Sequence, residues 1–137
     1  MSDDRPVLWV GRVAVVTLPA EVDLSNADQA SQDLATVARD ASLVIADMSA
    51  TTFCDSAGVT ALIRAVRQAT ASGARLRVAA SAPGVTRVLA ITGVDRLIEV
   101  YPSVAAAMAD SAGGAAGQDR ATRLGQADAD GRAPQPG

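Results

Sequence analysis

Four consecutive apolar residues, Leu43-Val44-Ile45-Ala46, place the strongest constraint on this chain. A run so short, with no polar position, is the pattern of a strand buried on both faces, and such strands lie in sheets covered by helices. The flanking sequence agrees. Arg12 to Leu18 is rich in β-branched residues and reads as a strand paired with Val7 to Val10 through a turn near Gly11. Arg75 to Ala80 follows Gly73, and Leu97 to Val100 precedes Pro102; both fit strands.

Helical patterns separate them. Asn26 to Arg39 places Ala27, Ala30, Leu34, Val37 and Ala38 on one side, with Ser25 as the expected N-cap and Asp28 in the first turn, where the helix dipole favours an acid. Ser56 to Ser72 places Val59, Leu62, Ile63, Val66 and Thr70 at helical spacing, turns Arg64 and Arg67 outward, and ends at Gly73. Pro83 to Ile91 forms a third helix closed by Gly93, and Ser103 to Asp110 a short last one. The order β-β-α-β-α-β-α-β-α implies an α/β domain: a four- to five-stranded mixed sheet with about four helices packed on it.

A chain of 137 residues holds one such domain. It is expected over residues 7–110, after an N-terminal arm of residues 1–6. Residues 111–137 hold six Gly, seven Ala and two Pro against a single large aliphatic residue, Leu124. That composition cannot offset chain entropy by burial, so a disordered tail is expected.

Composition then removes whole classes of chemistry. The chain has no His, no Lys and one cysteine, Cys54. A transition-metal site built on His and Cys has a single candidate ligand, Cys54, and is close to excluded, while Ser-His-Asp or Cys-His catalysis has no base. No internal disulfide can form, which fits a reducing compartment. No signal peptide and no stretch of membrane-spanning length is visible, so a cytoplasmic, non-membrane protein is expected. The net charge of −3 argues against nucleic acid as a partner.

The most unusual local sequence is Phe53-Cys54-Asp55-Ser56-Ala57-Gly58, between the buried strand and the helix from Ser56. Loops at the carboxyl ends of strands are where α/β sheets carry function. Ser56 stands at or beside a helix N-cap, either as the cap itself or as a hydroxyl placed for modification. Asp55 fits an ordinary cap or turn residue. As a nucleophile Ser56 lacks both the Gly-x-Ser-x-Gly frame and a base. A phosphate loop lacks its Gly-Lys pair, and Asp23, Asp47 and Asp55 could hold Mg²⁺ only if the fold converged them. Cys54 reads as a small buried hydrophobe, and Trp9 as a core or edge-strand anchor.

The stretch Asp47-Met48-Ser49-x-x-x-Phe53-x-Asp55-Ser56-Ala57-Gly58-Val59 resembles the phosphorylation-site motif of bacterial anti-sigma factor antagonists, founding members of the STAS domain family. Upstream, Leu18-Pro19-Ala20-Glu21-Val22-Asp23 resembles that family's Gly-Glu-(Ile/Leu)-Asp turn, with Ala20 in place of Gly. Ala57 replaces a second Ser, which leaves one phosphorylatable hydroxyl in the motif. The resemblance implies a STAS fold and a partner switch. The unphosphorylated protein binds an anti-sigma factor with serine kinase activity and releases a sigma factor. Phosphorylation of Ser56 ends the contact and a serine phosphatase restores it. It implies a partner-binding surface of Asp23, Asp55, Ser56, Ala57 and Gly58, with no catalysis, cofactor or metal of the protein's own. Two other readings remain: an unphosphorylated STAS-type subunit of a transport or signalling assembly, and a small nucleotide-binding protein.

Overall fold

The computed structural model describes residues 7–109. The arm expected over residues 1–6 and the tail over 111–137 lie outside them. Strands β1 (Val7–Val10) and β2 (Val13–Thr17) form an antiparallel hairpin around Gly11. There follow β3 (Glu21–Val22), α1 (Ala27–Ala38), β4 (Leu43–Asp47), β5 (Phe53–Cys54), α2 (Ser56–Ala71), β6 (Arg75–Ala79), α3 (Pro83–Ile91), β7 (Glu99–Tyr101) and α4 (Val104–Ala109). The main sheet runs β1-β2-β4-β6-β7, antiparallel at the first pair and parallel at the rest. This is the expected mixed α/β sheet with four helices.

Alternation along the strands assigns the faces. Ala14, Val16, Leu18, Val44, Ala46, Met48, Leu76, Val78 and Ala80 point to one side and form the main core with Leu34 of α1, Leu62 and Ala65 of α2, and Val85 and Leu89 of α3. Val15, Leu43, Ile45 and Ala79, also buried, point to the other. Every side chain of the LVIA run is therefore covered, as its sequence requires.

α1 packs against α2, and both helices bury alanines: Ala27, Ala30 and Ala38 of α1 and Ala61, Ala65 and Ala69 of α2. Thr70, expected on the apolar side of α2, is exposed, and Ala69 takes the inward position. Ser72 caps the helix and Gly73 follows at φ +84°, with Ala74 N–H donating to the carbonyl of Ala69 (2.8 Å) and Gly73 N–H to that of Thr70 (3.0 Å). That double closure needs a left-handed residue, which glycine supplies without steric cost.

Three local expectations are corrected. The N-cap of α1 is Asn26, because the Ser25 hydroxyl is bonded to Asp23 instead. The last strand begins at Glu99, two residues later than expected: a 3₁₀ turn at Val94–Arg96 carries the chain past an exposed Leu97 to a buried Ile98. Two extra strands, β3 and β5, lie in segments with no strand pattern of their own, and they form a separate parallel ribbon.

Among the described residues one charged residue is fully inside. Arg77, 1% exposed, donates from Nε to Glu99 Oε1 (2.8 Å) and from Nη1 to the carbonyl of Ala107 (2.7 Å), and its guanidinium lies 5.3 Å from the centre of the Tyr101 ring. Burying the charge is tolerable only because these partners replace its water.

Candidate functional site

The β3–β5 ribbon joins two loops that are about thirty residues apart in sequence. Glu21 pairs with Phe53 and Val22 with Cys54. Thr52 N–H donates to the carbonyl of Ala20 (2.8 Å), Asp55 N–H to that of Val22 (3.2 Å), and the buried Thr51 hydroxyl to that of Pro19 (2.8 Å). These bonds set Asp23 beside the start of α2. A two-residue ribbon has too little pattern to be seen in sequence, since its stability comes from non-local partners.

Asp55 is the N-cap of α2: its Oδ1 accepts from the N–H groups of Ala57 (2.9 Å) and Gly58 (3.1 Å). Val59 N–H reaches the Asp55 carbonyl (3.0 Å). Ser56 is consequently the first residue of the helix and not its cap, which corrects the cap reading of that serine. It is exposed, and among the described residues its hydroxyl has no hydrogen-bond partner.

Asp23 holds its own loop. Its Oδ1 accepts from the Ser25 N–H (3.0 Å) and hydroxyl (2.6 Å), while its N–H donates to Asn26 Oδ1 (3.0 Å). The Ser25 hydroxyl, followed by the Ser25 N–H, lowers the Asp23 carboxyl below the ordinary aspartate range. Asp47 closes a third small turn, accepting from Ser49 N–H (3.0 Å) and from the Ser49 hydroxyl. Each of the three carboxylates is turned into its own loop. Among the described residues no group of three His, Cys, Asp or Glu side chains is placed to hold a metal ion.

Gly58 is buried under this surface while Ala57 is half-exposed on it. A Cβ at Gly58 would stand 2.6 Å from Cys54 Sγ and 2.9 Å from the Val22 carbonyl oxygen. The residue lets the first turn of α2 approach the ribbon at Val22 and Cys54. Cys54 is itself buried, and desolvation, with the neighbouring Asp55 charge second, pushes its thiol up to about 11. A thiol so placed is a packing group, not a thiolate.

Two apolar side chains that the sequence reading gave no role stand at the rim: Leu24, directly after Asp23, and Phe53, two residues before Asp55, are both exposed. The signal was a large apolar residue inside a polar turn. Glu21, Asp23 and Asp55 supply the charge of the surface, whereas Arg64, about two turns along α2, pairs with Asp28 (3.1 Å) in the first turn of α1.

The STAS domain model matches residues 7–107 of the chain. An anti-sigma factor antagonist from Mycobacterium paratuberculosis has a similar structure, at 25% identity and TM-score 0.70, over 77% of this chain and 91% of that one. The unphosphorylated form of the anti-sigma factor antagonist SpoIIAA shares the fold at 21% identity and TM-score 0.66, covering 81% and 97%. So does a sulfate transporter family protein from Wolinella succinogenes, at 16% identity and TM-score 0.67, covering 74% and 86%. No curated protein matches the sequence significantly. No helix among the described residues is long and apolar enough to cross a membrane.

Proposed function

Because the chain belongs to the STAS domain family, we propose that it is an anti-sigma factor antagonist switched by phosphorylation of Ser56. The observation that carries the reading is the division of labour at the start of α2. Asp55 satisfies the helix N-terminus, so the Ser56 hydroxyl is exposed and uncommitted. The unphosphorylated surface of Asp23, Asp55, Ser56 and Ala57, shaped from below by Gly58, docks an anti-sigma factor with serine kinase activity. A sigma factor is thereby released. The kinase transfers the γ-phosphoryl group of ATP to Ser56 Oγ, the hydroxyl proton is lost, and ADP leaves. A serine phosphatase returns the site to its first state.

The physical effect falls on the complex and not on the domain. A phosphate on the first residue of a helix carries a charge of about −1.5 to −2 toward the positive end of the helix dipole, which the helix tolerates. At a fitted interface the same group adds bulk and charge. Two like unit charges 5 Å apart at an effective dielectric of 20 repel by roughly 3 kcal/mol, more than a hundredfold in affinity. One modification suffices.

The sulfate transporter family likeness supports a second reading, a STAS-type subunit of a transport assembly. That role places no chemical demand on an exposed serine. The two readings separate in one experiment: the full chain and Ser56→Ala are incubated with ATP and anti-sigma-type serine kinases from the source genome, and intact masses are measured. One phosphate on the parent chain and none on Ser56→Ala supports the antagonist. No transfer with any kinase that binds the chain overturns it.

A further inference from the structure

Half of the exposed large apolar side chains among the described residues lie in one strand: Val7 at 38%, Leu8 at 59%, Trp9 at 44% and Val10 at 46% exposure. That strand, β1, is the edge of the main sheet, and among the described residues nothing pairs with its outer side. Natural edge strands are blunted by charge, proline or a bulge. The β1 strand has none of these within Val7–Val10.

The hydrogen-bond pattern fixes which backbone groups are open. The carbonyl of Arg12 accepts from Ser42 N–H (2.8 Å), and Leu18 N–H donates to the carbonyl of Asp47 (2.9 Å). Even-numbered residues of this segment therefore address β4, and Val13 and Val15 address β1. Their partners are Val10 and Leu8. The N–H and C=O groups of Val7 and Trp9 consequently face outward.

We infer that β1 is a self-association edge, occupied by β1 of a second copy of this chain in antiparallel register. Only registers that oppose odd-numbered residues of the two copies bring open groups together. The one that uses both residues places Val7 of each copy opposite Trp9 of the other, with two Leu8 side chains meeting on the two-fold axis. Four backbone hydrogen bonds form, and every cross-strand pair is apolar on both faces. A second copy is the favoured occupant because a strand with no polar side chain has only register and shape to offer, and an identical edge satisfies both. The exposed parts of the four side chains amount to roughly 350 Å² per copy, about 700 Å² for two, short of the ~1,200 Å² of stable interfaces. The dimer is therefore weak and reversible. This inference does not rest on the role of Ser56.

Trp9 is the sole tryptophan, so its emission reports the edge directly. The test is sedimentation velocity with tryptophan fluorescence on the full chain, from about 1 to 500 µM, the range in which a weak dimer assembles. The expected result is a mass rising toward twice the monomer, with emission moving to shorter wavelength in step. Leu8→Lys sets two ammonium groups opposite one another and weakens the dimer at least tenfold. Val7→Glu, on the other face of the strand, does the same, and circular dichroism confirms that both variants fold. A monomer throughout overturns the inference, as does a dimer that neither variant weakens. So does blue-shifted emission independent of concentration, which would mean that the chain covers Trp9 itself.

Discussion

The starts of α1 and α2 use the same residue types in opposite ways. Before α1, Asp23 and Ser25 are spent on each other: the serine hydroxyl and N–H both donate to the aspartate. Asn26 then stands at the cap without a side-chain bond to the helix. Before α2, Asp55 reaches forward to the N–H groups of Ala57 and Gly58, and the serine that follows is left with a free hydroxyl. A serine near a helix start is therefore not informative by itself. Its availability depends on which neighbour takes the cap, and that choice separates a hydroxyl spent in a turn from an exposed, uncommitted one.

The contrast yields measurements in descending order of effect. The largest concerns the complex. Quantitative phosphorylation of Ser56 should weaken binding to the anti-sigma-type kinase more than a hundredfold, read by calorimetry, while circular dichroism stays unchanged. Loss of helicity would show that the phosphate displaces Asp55 from its cap. Next is Gly58→Ala, whose added methyl meets Cys54 Sγ and the Val22 carbonyl. Overpacking against a backbone atom should cost about 1–3 kcal/mol in thermal unfolding. A neutral result would mean that the ribbon can move away from α2.

Asp55→Ala removes a working cap and should cost about 1 kcal/mol, whereas Ser56→Ala should stay within about 0.5 kcal/mol. Equal losses would mean that the hydroxyl shares the capping role, and the contrast with α1 would fail. The smallest effect is a titration. The Asp23 carboxyl, lowered by its Ser25 bonds, should titrate below the ordinary aspartate value by NMR, and Ser25→Ala should move its midpoint upward. The sign follows from linkage. A carboxyl depressed in the folded state contributes stability above its unfolded value, and that contribution is lost as pH falls through the folded one. A midpoint unmoved by Ser25→Ala would place the cause elsewhere.

What could be read from the sequence is what local physics decides. The hairpin at Gly11, the doubly buried LVIA strand and the stop of α2 at Gly73 depend on residues within a few positions of one another. Periodicity and backbone preference are sufficient there. The Asp-Ser-x-Gly segment could likewise be placed at a strand-to-helix junction, and its resemblance pointed to Ser56. Tertiary structure decided the rest. The ribbon of Glu21–Val22 and Phe53–Cys54 is held by bonds across some thirty residues, so no local window contains it. Arg77 reads as a surface residue of a strand until Glu99, Tyr101 and Ala107 close around it. That Asp55, and not Ser56, caps α2 follows from where the ribbon delivers the chain: Val22 binds the Asp55 N–H and Gly58 fits beneath, which leaves the carboxylate facing the helix and the serine facing out.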